Sequence, residues 1–245
     1  MREVKISSGN ETLVGTLFDA PEDGFTQKPA ALLIHGWQSA QDRMFDMAEM
    51  LSQKSGITCL TIDLKGHGKS EGKIGEHSRR DFLDDVIAAY DFLVAQPNVD
   101  PSKIGVLGSS FGGYLAPLLI SKRGVAWMVL RVPADYPDEG FETPKIPSAV
   151  DERSDVNHWR GQKRSCDSTA ALRAVHEFHG KILIVESEND DLIPHQTIQN
   201  YVDAVSEKRD LQYELMKGAP HSLTRYPEFK KEFNEIVFEW EKHSR

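Results

Sequence analysis

Short β-branched runs at residues 30–35, 57–63, 103–109, 127–131, 181–186 and 211–216 alternate with longer segments of helical spacing at 45–54, 79–95, 111–121, 168–176, 195–206 and 228–242. A chain that repeats strand and helix in this way buries both faces of a sheet only when the strands run mainly parallel and the helices cross over them. An antiparallel opening precedes the repeat, because 4–6 and 12–18 flank the turn residues Ser7-Ser8-Gly9-Asn10 and read as a hairpin. The pattern predicts an α/β fold with a mostly parallel eight-stranded sheet flanked by helices, as one domain. At 245 residues and 39% hydrophobic, such a domain buries enough surface to need no metal staple or disulfide framework. Cys59 lies in an apolar run and Cys166 in a polar one, and no pairing between them is expected.

Local signals agree with the alternation. Ser78-Arg79-Arg80-Asp81 has the spacing of a capping box, and Pro194 and Pro227 stand where first helical turns begin. One interval breaks the rhythm: 49 residues separate Arg131 from Lys181, far more than one crossover requires. The spacing predicts a lid insertion over 132–180 carrying one helix, from Ser168. Its first part holds Pro133, Pro137, Pro144 and Pro147 among many charges, with Tyr136, Phe141 and Trp159 as large aromatics.

Gly108-Ser109-Ser110-Phe111-Gly112 follows the apolar run Ile104-Gly105-Val106-Leu107 directly and opens onto a helix-compatible segment. This is G-x-S-x-G in a strand-turn-helix setting, where glycines allow a sharp turn and the serine projects above the sheet beside a helix N-terminus. A serine hydroxyl is a weak nucleophile at neutral pH and needs a base. His221, in Gly218-Ala219-Pro220-His221-Ser222 between the last strand and the last helix, is the best placed of nine histidines. His67 ranks second, His176 and His179 read as surface, and His195 flanks its helix. The base needs a carboxylate to fix its tautomer, and the loop after the strand at 181–186 offers Glu186, Glu188, Asp190 and Asp191.

Together these motifs resemble the α/β-hydrolase fold superfamily, in its serine esterase or acyl-aminoacyl peptidase-like branch. The order serine, acid, histidine is that superfamily's order. Its pattern at the acid, Asp followed by two residues, an aliphatic and Pro, implies Asp190 within Asp190-Asp191-Leu192-Ile193-Pro194. The resemblance also implies that the residue after His35-Gly36, Trp37, donates one backbone N–H to an oxyanion hole, with Phe111 supplying the second. Asp63-Leu64-Lys65-Gly66-His67-Gly68-Lys69-Ser70 resembles a structural turn of these proteins, while Ser187 stands where relatives often carry Gly. The likeness covers most of the chain except the lid. It implies cleavage of a carboxylic ester or related acyl bond by Ser110, His221 and Asp190, with aminopeptidase-like or thioester cleavage on the same groups, or a non-catalytic receptor on the same fold, as alternatives.

Other chemistries fit poorly. A formal net charge of −9, from 38 acidic and 29 basic residues, works against nucleic acid and disfavours a large acidic substrate. Gly68-Lys69-Ser70 lacks the glycine a phosphate-binding loop needs five positions earlier, where Asp63 stands. No His/Cys spacing suits zinc, so neither a metal nor an organic cofactor is expected. No apolar run approaches membrane-spanning length and no secretory stretch opens the chain, so a cytoplasmic location and a small-molecule acyl substrate are expected. Arg131 ends a strand next to the serine and is a candidate for substrate binding with Tyr136, Phe141 and Trp159. The competing expectation for Arg131 is an ion pair with Asp135 or Asp138.

Overall fold

The computed structural model describes residues 1–22, 24, 27–146 and 150–244. Pro147 of the expected lid lies outside the described residues. Among these residues eight strands form one sheet in the order β1-β2-β4-β3-β5-β6-β7-β8. The strands are β1 Arg2–Ser8, β2 Glu11–Phe18, β3 Lys28–Ile34, β4 Thr58–Ile62, β5 Val99–Ser109, β6 Trp127–Arg131, β7 Lys181–Asn189 and β8 Leu211–Pro220. β1 and β2 form the expected hairpin and β2 pairs antiparallel with β4, whereas every pairing from β4 to β8 is parallel.

The helices are α1 Phe45–Ser55, α2 Arg79–Val94, α3 Phe111–Ile120, α4 Val150–Arg160, α5 Ala170–Glu177, α6 His195–Ala204 and α7 Pro227–Glu241. Period-two alternation along the strands divides them between two faces. Leu32, Ile34, Ile104 and Val106 point to one side with residues of α2, α3, α5 and α6. Leu33, Leu107, Val129 and Val185 point to the other, against α1 and α7. Ser78 caps α2 through the capping box with Asp81 that its spacing predicted, and Pro227 opens α7.

The excursion after β6 holds two α-helices where the spacing predicted one. The charged segment of α4 has a mean hydropathy too low to signal burial, so it read as irregular. α5 starts at Ala170 after a short 3-10 turn and buries Leu172 and Val175 in the main core, so it is an ordinary crossover helix. β7 and β8 run further than their apolar patterns indicated, to Asn189 and Pro220, past a register shift between Ser187 and Asn189.

Candidate active site

The turn between β5 and α3 is forced by close backbone approach. A Cβ on Gly108 would lie 2.2 Å from the Gly112 carbonyl oxygen, and one on Gly112 would lie 2.3 Å from that of Ile34, so only glycine fits either position. Ser110 between them adopts φ 54°, ψ −112°, in a region that L-residues rarely visit. Its own amide donates to the Arg131 carbonyl (2.9 Å), and its carbonyl accepts from the amides of Tyr114 (3.1 Å) and Ala134 (3.0 Å), which holds the strained residue from three sides. Among the described residues the non-glycine positions with positive φ are Gln38, Ser110 and Val132, and all three surround this turn. Backbone strain of this kind persists where the surrounding structure over-determines it, and it concentrates at functional sites.

Sheet register delivers the partners. Asn189 pairs with Pro220 at the carboxyl end of β7 and β8, so the next residue of each strand, Asp190 and His221, emerges side by side. His221 Nδ1 lies 2.7 Å from Asp190 Oδ2, and His221 Nε2 lies 3.1 Å from Ser110 Oγ. The other Asp190 oxygen, Oδ1, accepts from the amides of Leu192 and Ile193, both at 2.8 Å. Asp190 is therefore an acceptor on both sides, and Nδ1 carries the hydrogen between them while Nε2 is left to accept from the serine. The Asp190 side chain is 4% exposed and that of His221 13%.

The remaining acids of this loop are engaged elsewhere. Glu186 accepts from the Tyr213 hydroxyl (2.5 Å) and meets His195 Nδ1 (2.7 Å), Glu188 accepts from the Gly218 amide, and Asp191 is exposed. The second-ranked histidine is also occupied. His67 Nδ1 faces the Lys65 carbonyl (2.8 Å), while Nε2 accepts from the Gln38 amide (3.2 Å). Burial holds its pKa below the ordinary value, so it stays a neutral bridge that fixes the loop carrying Trp37. His35 does the same between Gly36 and the Leu64 amide, with its pKa pulled down to about 4 by burial.

That loop lies against the elbow: a Cβ on Gly36 would be 3.3 Å from the Ser110 Cβ. Trp37 packs edge-on against Phe82, Phe111 and His67. Phe111 opens α3, so its amide is among the four that a helix leaves without an intrahelical partner.

Arg131 makes no pair with Asp135 or Asp138, which corrects that expectation. Its guanidinium turns the other way, donating to the carbonyls of His221 (2.8 Å) and Pro220 (3.3 Å) and to the hydroxyls of Ser187 (3.1 Å) and Ser109 (3.3 Å). Burial lowers its pKa to about 10 against the opposing influence of Asp190. Asp138 instead accepts from the Ala170 amide at the start of α5, and Asp135 accepts from the Tyr136 amide and the Thr169 hydroxyl. Ser187 is thus a partner of Arg131 beneath the histidine loop.

Ser110 and His221 open into a cleft of about 1250 Å³, lined also by Trp37, Arg131 and residues of the excursion. Of the three excursion aromatics singled out from the sequence, Tyr136 lines this cleft. Phe141 packs on Arg79 and Arg80 of α2, and Trp159 stacks under Arg164, so both brace the excursion itself. Five cations lining the cleft escaped the sequence reading, Arg43, Arg79, Lys145, Arg160 and Lys230, and three of them, Arg79, Lys145 and Arg160, gather around Tyr136. Of these three, Arg79 sits in a helix cap and the other two in a charge-rich stretch, where surface exposure is the ordinary expectation. Among the described residues no group of three or more His, Cys, Asp or Glu could hold a metal, and no helix is long and apolar enough to cross a membrane.

The profile described as serine aminopeptidase, S33, matches residues 26–155, more than half of the chain. An uncharacterised protein of Mycobacterium tuberculosis is 26% identical over 196 residues, which are 79% of this chain and 63% of that protein. A polyketide transferase, ClaH, of Penicillium crustosum is 40% identical over 102 residues, 41% of this chain and 33% of the relative. The chain thus matches less than two thirds of the length of these curated relatives. Among solved structures, Est1E from Butyrivibrio proteoclasticus, determined with ferulic acid bound, superposes with a TM-score of 0.75 at 20% identity, over 98% of both chains, a likeness that speaks for the fold. With the sheet order and the family match in agreement, the chain belongs to the serine aminopeptidase S33 family of the α/β-hydrolase superfamily.

Proposed function

We propose that this protein is a serine hydrolase that cleaves a carboxylic ester of a small substrate through an acyl-enzyme intermediate. The observation that carries the reading is the unbroken chain from Ser110 Oγ through His221 to Asp190 Oδ2, with separations of 3.1 and 2.7 Å, at the floor of the cleft. His221 Nε2 takes the hydroxyl proton as Ser110 Oγ attacks the carbonyl carbon. The carbonyl oxygen becomes an oxyanion, received by the Trp37 and Phe111 amides. As the ester C–O bond breaks, His221 returns the proton to the departing alcohol. A water molecule then repeats the sequence: His221 takes its proton, its oxygen attacks the acyl carbon, and Ser110 leaves with the proton back on Oγ. Asp190 stays ionised and steadies the imidazolium at each stage. In this reading the excursion between β6 and β7 carries the lid expected over 132–180, and the serine chemistry calls on no metal or cofactor.

The family description raises aminopeptidase chemistry, which would bring a substrate ammonium into the cleft. Among the described residues six basic side chains line the cleft against two acidic ones, Asp42 and Asp155. Asp42 already lies 3.7 Å from Arg43, and Asp155 is exposed. A cationic lining repels an amino terminus, which favours ester over aminoacyl amide.

A fluorophosphonate probe tests the reading. Covalent labelling of the wild-type protein, together with turnover of simple esters, is expected, and both should disappear in Ser110→Ala with the fold retained. Labelling that persists in Ser110→Ala would assign the chemistry to another group. Absence of both labelling and turnover in the wild type would favour a ligand receptor on this fold.

A further inference from the structure

The net charge of the chain and the charge of its cleft have opposite signs, and the reversal is concentrated around Tyr136. The Arg160 guanidinium lies 4.6 Å from the centre of the Tyr136 ring, Lys145 Nζ 5.2 Å and the Arg79 guanidinium 5.3 Å. Among the described residues none of the three forms an ion pair with a carboxylate, whereas neighbouring Arg80 pairs with Glu142 at 3.0 Å. Cations brought this close together out of water usually share an anion.

The three are not equivalent. Arg79 gives three of its five N–H groups to neutral acceptors, the carbonyls of Pro137 (2.7 Å) and Glu139 (2.6 Å) and the Tyr114 hydroxyl (3.1 Å), and so fastens the excursion to α2. Arg160 donates through Nε to the Asp135 carbonyl (3.0 Å) and lies over the Tyr136 ring. The carboxyl of the same Asp135 is committed to the Tyr136 amide and the Thr169 hydroxyl. Lys145 lies half-buried on the wall of the cleft, its Nζ 4.1 Å above the centre of the Trp37 ring and 5.5 Å from that of Phe111. Tyr136 is the polar side chain that acts on it, with its ring centre 5.2 Å away. An ammonium that stands over two aromatic rings, with donor capacity left, is fixed in place yet available.

The segment carrying Lys145 is anchored. Its amide donates to the His77 carbonyl (2.7 Å), and Pro144 bridges to Ser78 at the cap of α2. The field at the site registers on Tyr136 itself: burial pushes its pKa up, but Arg160, Lys145 and Arg79 outweigh burial and leave the phenol below its ordinary value.

We propose that the cleft takes an ester that also carries a carboxylate, seated between the Lys145 ammonium, the Arg160 guanidinium and the Tyr136 hydroxyl. The proposal rests on the serine-hydrolase reading and names its substrate class. The Lys145 ammonium stands on the ring of Trp37, whose amide receives the oxyanion in this reading, so the carboxylate seat and the reacting carbonyl share one cleft. Hydrolysis then gives a small molecule with one more carboxylate, or a hydroxy acid, according to which half of the ester carries the charge. The overall acidity of the chain keeps large polyanions away, while the cleft selects a small monoanion.

The test compares kcat/KM in two arms: monoethyl glutarate against ethyl hexanoate places the carboxylate on the acyl side, and carboxymethyl butyrate against propyl butyrate places it on the alcohol side. In one arm the charged ester should be preferred by about tenfold or more, as one charge-assisted contact provides. Lys145→Met should lower that ratio about tenfold, and Lys145→Arg should retain most of it. No preference in either arm, or a preference that Lys145→Met leaves unchanged, would overturn the proposal. Calorimetry with Ser110→Ala separates this failure from failure of the hydrolase reading, since binding needs no turnover. That variant should bind the preferred charged ester more tightly than its neutral partner and lose the difference at high salt. Equal binding of the two would overturn the carboxylate seat even where hydrolysis is observed.

Discussion

Asp190 and Lys145 face one cleft but are positioned by different means. Asp190 leaves the sheet at a fixed register, accepts two backbone amides and has little freedom to move. Lys145 belongs to a stretch without regular structure, is anchored by one backbone hydrogen bond and one bridge, and lies on aromatic rings rather than in a hydrogen-bonded socket. The sheet end fixes atoms to within a hydrogen bond's tolerance, as a proton relay requires. The excursion fixes a charge, whose influence falls off slowly with distance and tolerates looser placement. Substitutions at the sheet end should therefore alter rate on every substrate, and those in the excursion should alter choice among substrates.

The largest expected effect separates adjacent residues. Asp190→Asn should lower kcat by about 10³–10⁴-fold, because an amide presents a donor where the imidazole hydrogen needs an acceptor. Asp191→Asn, on an exposed residue, should stay within about twofold of wild type. Damage confined to Asp191→Asn would overturn the register argument drawn from the Asn189 and Pro220 pairing.

Packing offers the same contrast in stability. Gly112→Ala drives a methyl group to 2.3 Å from the Ile34 carbonyl oxygen and should cost about 3 kcal/mol or more. In the excursion, Gly161→Ala meets nothing closer than 3.4 Å and should change stability by no more than about 0.5 kcal/mol. Thermal melting of the two variants checks both, and equal losses would erase the distinction between a rigid elbow and a tolerant excursion.

These differences also explain what the sequence made legible. Strand positions and the elbow follow from glycine, apolar period and turn chemistry, which act locally and leave marks in a single chain, whereas Asp190 was singled out among four acids by the family resemblance alone. The role of Arg131 left no such mark, because its partners are carbonyls at Pro220 and His221, which every residue possesses. A search for side-chain partners pointed instead to Asp135 and Asp138, acids close in sequence. Lys145 was equally silent: Trp37 lies over a hundred positions away, and a cation resting on its ring looks from the sequence like any surface lysine. Phe141 and Trp159 carried an apolar signal that the excursion uses to hold itself together, whereas Tyr136 is the aromatic that reaches the cleft.

Arg131 sharpens the contrast because it lines the cleft yet belongs to the sheet. Arg131→Met removes the donors beneath the His221 loop and should lower kcat about 10–100-fold, equally for carboxylate-bearing and neutral esters. Kinetics on the paired substrates decide the matter. A selective loss on charged esters would make Arg131 part of the anion seat and move it to the excursion's side of the comparison.

The smallest expected effect concerns Asp135, where sheet and excursion meet. Burial raises its carboxyl to about 7, against the lowering influence of the Tyr136 amide, the Thr169 hydroxyl, Arg160 and Arg164. The unfolded chain holds an Asp near the ordinary value of about 3.9. A folded pKa above the unfolded one means that the native state binds the extra proton between these two values, so stability from this group is complete below about pH 4 and is lost as pH rises to about 7. Asp135→Asn keeps the shape without the titration. Its denaturant midpoint relative to wild type should therefore rise between pH 5 and pH 8 and level off beyond. The opposite slope would mean that Asp135 is held ionised by Arg160 and Arg164, in which case Arg160 would already own its anion and the carboxylate seat would rest on Lys145 and Tyr136 alone.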